Sequence, residues 1–227
     1  MTTLFQRQLN YVFNRPDTEP AWYWDDNTYE EGVFEDTPLS AFVFIETLLL
    51  DAKAHLSPYS DAQIGLGLNY IFNSACSNLA YEFKIAAVPF EHKNKAVEAL
   101  SNVFQDVFNE RCDKVLSAGS QAPLSKINLI CYMFWDVCCW DNWSNVPENQ
   151  AQNDVEMYKT IAFVMHRCLG LSNIACVESG LHGLGHLVYK QPEIAVPMID
   201  DFINNGKTRH NNALLDYAKM ARTGMIQ

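Results

Sequence analysis

Apolar residues recur at intervals of three and four along nearly the whole chain, and no stretch alternates convincingly as a strand would. Leu4, Phe5, Leu9, Tyr11, Val12 and Phe13 predict a short amphipathic helix over 2–14, which Pro16 and Pro20 end. Thr37-Pro38 sets an N-cap before a proline at the first helical position, opening a helix that runs to about Leu56. Ser60-Asp61 opens the next, through Ile64, Leu68, Ile71 and Phe72 to about Ser77, with a continuation to Ile85 left open. Beyond Pro89, the residues Val97, Leu100, Val103, Phe104, Val107 and Phe108 share one face of a helix over 91–116. A very apolar helix follows over 124–140. Further helices are predicted over 154–169, 174–190, 192–206 (with Pro197 inside) and about 211–221. The expectation is an all-α fold, an irregular array of about eight or nine helices forming one domain over residues 1–227.

One long segment breaks the periodicity. Residues 17–36 hold eight acidic side chains and no Lys or Arg, interleaved with Trp22, Tyr23, Trp24, Tyr29 and Phe34. Prolines, a glycine and the lack of any period mark it as a long acidic aromatic loop, a kind of segment that usually carries function. Aromatic side chains give contact area at low entropy cost, and carboxylates around them steer a basic partner. The candidate partner-binding residues are Trp22, Tyr23, Trp24, Asp25, Asp26, Glu30 and Glu31. The competing expectation is a loop folded over the helices, its rings filling the core and its acids merely solvated.

The stretch Ile174 to Tyr189 carries two of the six histidines and three of the ten glycines. At 100° per residue, Ile174, Val177, Leu181, Leu184 and Val188 form an aliphatic stripe. Cys176, Gly180, Gly183 and Leu187 form a second stripe, mostly small, where a neighbouring helix can approach closely. Glu178, His182, His186 and Tyr189 form a third, and only the sector of Ser179 and Lys190 looks made for water. A helix apolar or small on nearly all sides is an interior helix. Glu178, His182 and His186 stand four residues apart, as metal ligands on one helical face do. The two histidines have the spacing of the zincin motif, yet Gly183 takes the position of that motif's general-base glutamate. The plainer expectation is that Glu178 and His182 pair with each other and that His186 bonds a nearby carbonyl or carboxylate. No cofactor is implied by that reading. Asp136 and Asp141, near Trp135 and Trp140, read as cap and surface residues, and the vicinal Cys138-Cys139 pair reads as core.

The glycine- and histidine-bearing helix, followed by Gln191-Pro192-Glu193 and then Val196-Pro197-Met198-Ile199-Asp200-Asp201-Phe202, resembles one helix pair of a HEAT-like α-solenoid over residues 172–205. The resemblance implies a stacked, HEAT-like arrangement in the C-terminal half and a protein-binding scaffold more than an enzyme.

The totals narrow the function classes. A formal charge of −11 opposes nucleic-acid binding and anionic membrane surfaces, and it suits a basic protein partner. No apolar run approaches the ~18 residues of a membrane span. The N-terminus lacks the basic and apolar regions of a signal peptide. Seven cysteines without a CxxC pair fit free thiols in a reducing, cytoplasmic setting. The sequence therefore favours a cytosolic interaction module that binds, and in its concrete version neutralises, a basic protein, as an immunity-type inhibitor blocks a toxin. The alternative is an all-α metalloenzyme using Glu178, His182 and His186.

Overall fold

In a computed structural model the chain is helical throughout, and residues 3–28, 30, 32–34, 37–143, 151–206 and 212–226 are described. Among them are eleven helices and no strand. They are α1 (Leu4–Phe13), α2 (Pro38–Leu50), α3 (Ala52–Leu56), α4 (Asp61–Phe72), α5 (Leu79–Ile85), α6 (90–111, with a π-helical stretch at Val103–Phe108), α7 (Lys126–Val137), α8 (Ala151–Cys168), α9 (Ile174–Val188), α10 (Pro192–Gly206) and α11 (Asn212–Arg222).

Helix starts follow local chemistry. The side chains of Thr3, Thr37, Ser60, Ser125 and Asn173 each accept a backbone N–H of the first turn. Ser60 and Gln63 cap one another reciprocally. Pro197 sits inside α10 without ending it.

Two breaks raise the count from nine predicted segments to eleven helices. Asp51 leaves helical geometry (φ −140°, ψ 57°), and its carboxylate caps Ala54, so one predicted helix becomes α2 and α3. Residues 73–78 likewise part α4 from α5. There the backbone of Asn73 pairs with Cys138 in an isolated antiparallel bridge, tying the end of α4 to the end of α7.

The packing is layered around two neighbouring helices. α7 lies between α4 and α9, and α9 is surrounded by α7, α8, α10 and α11. Gly65 makes the first contact possible, since a Cβ there would stand 2.4 Å from the carbonyl carbon of Lys126. Aromatic rings fill the seam. Phe72 packs on Phe134 and Trp140, Phe83 on Phe42 and Trp140, and the ring of Phe104 lies parallel to Trp135 at 5.7 Å. The predicted inner helix is α9: residues 175–185 are all buried. Of the sector expected to face water, Lys190 is exposed, whereas Ser179 is buried and its hydroxyl donates to the carbonyl of Cys131 on α7 at 2.5 Å.

The acidic loop folds onto the helices. Trp22 is 3% exposed, set against Tyr11 and Tyr70 with the Arg15 guanidinium over its ring at 4.9 Å. Arg15 also donates to the Thr28 carbonyl. The expectation that Trp22 is an exposed anchor is corrected: the ring is large and apolar, and α1 and α4 offer it a place in the core. Tyr23 is half-buried and accepts a hydrogen bond from Asn69, whereas Trp24 is 58% exposed. Asp25, Asp26 and Glu30 are exposed, Asp25 capping its own turn at Asn27. Glu31 and Tyr29, and the start of the last helix at Asn211, lie outside the described residues.

Candidate metal centre

α9 presents its polar stripe to three different neighbours. Glu178, in the first half of the helix, does not bond His182. Its carboxylate accepts the backbone N–H groups of Ser117 (2.6 Å) and Ala118 (2.9 Å) in the connector between α6 and α7. The predicted Glu178–His182 pairing is thereby corrected. A buried carboxylate is satisfied best by several fixed donors, and two free amides of the connector supply them. Burial pushes the Glu178 carboxyl up, and the hydrogen bonds from Ser117 and Ala118 oppose the rise.

One turn on, His182 is fully buried and held on both edges. Its Nδ1 lies 2.5 Å from the Tyr217 hydroxyl of α11, and its Nε2 lies 2.8 Å from Asp136 Oδ2 at the last turn of α7. His186, a further turn along and partly exposed, brings its Nε2 to 2.9 Å from Asp136 Oδ1 and 3.0 Å from the His182 Nε2. Asp136, His182 and His186 form the one group of three or more such side chains, among the described residues, whose ligand atoms converge within metal-binding reach. The carboxylate that joins the two histidines is thus Asp136, and not the Glu178 of the alternative reading.

Tyr217 is hydrogen-bonded to Tyr132, which sits one turn before Asp136 on α7. Burial raises the Tyr217 hydroxyl well above its ordinary range, and its bond to Tyr132 raises it further. Which of Tyr217 and His182 Nδ1 donates to the other depends on the His182 tautomer. Burial raises the Asp136 carboxyl, and the hydrogen bonds from His182 and His186 outweigh it, holding the group well below the usual carboxylate range.

The spacing fits one ion. Two imidazole nitrogens 3.0 Å apart, each about 2.0–2.1 Å from a metal, subtend roughly 95° at it. The two oxygen–nitrogen contacts, 2.8 and 2.9 Å, go to the two different oxygens of Asp136, one to each histidine. Two histidines and one carboxylate gathered in this way would hold an ion from one side, the two-histidine, one-carboxylate pattern. The Tyr217–Tyr132 pair behind His182 would orient that ring, as hydrogen-bond partners of ligating histidines do.

A cavity of about 590 Å³ opens beside the centre, walled by His186 and Tyr217 together with Ala118, Tyr189, Met220 and Ile226. Glu178 reaches it indirectly, by pinning Ala118. The polar stripe of α9 was legible in the sequence, but Asp136, Tyr132 and Tyr217 were not. The available signal was Tyr132-x3-Asp136, the same four-residue spacing on an otherwise apolar helix. Tyr217 left no local signal. No protein-family model, curated protein or solved structure matches the chain, so the reading of this centre rests on its own atoms.

Proposed function

We propose that this chain is a mononuclear metalloprotein of catalytic type, binding one divalent first-row transition ion through Asp136, His182 and His186. The observation that carries the reading is the convergence of one ligand atom from each of Asp136, His182 and His186 within 4.8 Å of one another, the two imidazole nitrogens 3.0 Å apart. An ion held there supplies Lewis-acid chemistry to a molecule or water on its open face. This chain's residues do the rest. Tyr217 and Tyr132 orient the His182 ring, Asp136 contributes negative charge, and the cavity walls admit the ligand. Zinc and ferrous iron both suit this donor set. The test is to strip the purified protein with chelator, dialyse, and add zinc or ferrous iron under reducing conditions. About one equivalent retained per chain is expected. Retention below about one-tenth of an equivalent with either ion overturns the reading.

A second reading draws on a different groove. Trp24 (58% exposed) and Leu129 (47% exposed) line this groove of about 440 Å³, whose wall includes Leu66, Ile130 and Met133. Asp25 and Asp26, which follow Trp24 in the chain, are exposed. We propose it as the seat of a basic protein partner, with Trp24 and not Trp22 as anchor. The inhibitor role and the HEAT-like scaffold belong with this reading, and the seven free thiols suit a cytoplasmic home. The prediction is measurable with a lysine-rich amphipathic peptide. Quenching of Trp24 fluorescence should weaken steeply between 50 and 300 mM salt, on the scale of surface screening, and vanish in Trp24→Ala. Quenching that ignores salt, or survives that substitution, removes the proposal.

A further inference from the structure

The cavity beside His186 differs in chemistry from the surface around it. The chain carries 43 charged Lys, Arg, Asp and Glu residues (16 and 27), yet among the described residues none of them lines this space. Its walls are the rings of Tyr189 and Tyr217, the side chains of Met220, Met225 and Ile226, and the backbone at Ala118 and Gly224, with His186 as the inner end. Met225 (74% exposed), Tyr189 (73%) and Met220 (47%) stand at the mouth without an apolar neighbour to cover them fully.

Away from the His186 end, a phosphate, carboxylate or ammonium group would shed its water and meet no opposite charge on these walls, which is costly. An uncharged aliphatic or aryl body would gain from the same walls, and methionines adapt to irregular apolar shapes. A volume of about 590 Å³ lies in the range that holds a small organic molecule. We infer that the cavity takes a neutral, predominantly apolar small molecule that presents one lone-pair donor toward the His186 end, where the ion of the proposed centre stands. The inference rests on the metal reading for the role of that donor. The choice of ligand class rests on the cavity walls alone.

Cobalt(II) gives the centre a visible spectrum that reports a new ligand directly. The cobalt-loaded protein is titrated with 1-methylimidazole, 1-hexylimidazole and inorganic phosphate. The hexyl compound is expected to bind at least about tenfold more tightly than the methyl compound, because five additional methylenes leave water. Phosphate is expected to leave the bands unchanged at the same concentrations. Met225→Asp and Met220→Asp, both at exposed positions, should erase the hexyl advantage while the protein still holds its cobalt. Equal binding of the two imidazoles, or phosphate binding more tightly than either, overturns the inference. If cobalt fails to bind, the metal reading falls separately. Uptake of N-phenyl-1-naphthylamine then decides the cavity: fluorescence enhancement lost in the two aspartate variants upholds the apolar site, and no enhancement in the unsubstituted protein overturns it.

Discussion

Gly180→Val is expected to unfold the protein under mild conditions, with a loss of about 3 kcal/mol or more from a total that for such proteins is about 5–15 kcal/mol. A Cβ at residue 180 would stand 2.6 Å from the Met165 carbonyl oxygen and 2.8 Å from the Cys168 Cβ. The first of these atoms is backbone in the last turn of α8, so it cannot move without moving that end of the helix. Valine adds two further methyl groups to the same gap. α9 would have to retreat from α8, and its contacts with α7 and α11 would loosen with it. Gly170→Ala is the matched comparison. Its nearest neighbour would be 3.7 Å away and its backbone is not left-handed. That substitution should be neutral or raise stability by about 0.4–1 kcal/mol through the unfolded chain. Urea unfolding of both variants checks the pair. Similar midpoints would show that α9 is not pressed against α8 as described.

Asp136→Ala should abolish metal retention, whereas Tyr217→Phe should weaken it by about ten- to a hundredfold, the usual cost of losing an outer-shell partner. The two residues act at different distances. Asp136 supplies a ligand oxygen and the only negative charge between the two imidazoles. Tyr217 supplies the hydrogen-bond partner of His182 Nδ1. With Nε2 on a metal, the neutral ring would carry its hydrogen on Nδ1 and the hydroxyl would accept it. Phenylalanine keeps the ring and removes only that partner. Isothermal titration of zinc into the three proteins separates the effects. Unchanged affinity in Tyr217→Phe would show that the tyrosine only packs, and unchanged affinity in Asp136→Ala would remove the centre altogether.

How much could be read in advance differs between fold and centre. Helix identity came through because it is encoded locally. Thr37-Pro38 and Ser60 cap the helices they were expected to open. The break at Asp51 was missed because an apolar period runs through it on both sides. The interior placement of α9 also followed from its own residues, since glycines and aliphatics leave no face that gains from water. The centre is different in kind. His182 and His186 were visible as a pair, but the ligand completing them comes from 46 residues earlier in the chain (182 − 136). Nothing near Asp136 says that α7 lies along α9. Glu178 looked the better ligand because it shares the helix, yet the connector amides that hold it are 60 and 61 residues away. Trp22 was misread for a related reason: exposure depends on whether α1 and α4 offer a socket, and a loop sequence does not record that.

The enclosure of α9 also bears on how the chain can be made. Synthesis runs from the N-terminus, and domains tend to fold as they emerge. α7 and α8 are complete when α9 leaves the ribosome, but α10 and α11, which cover its remaining faces, are still to come. For that interval the most apolar helix of the C-terminal half is half-dressed, with Gly185 lacking Ala221 and Ile226 and His182 lacking Tyr217. The innermost element of the finished molecule is therefore the one whose shelter arrives last. A nascent chain paused before residue 212 presents a ready target for chaperones, and the moment of greatest exposure is set by the order of the helices and not by their stability.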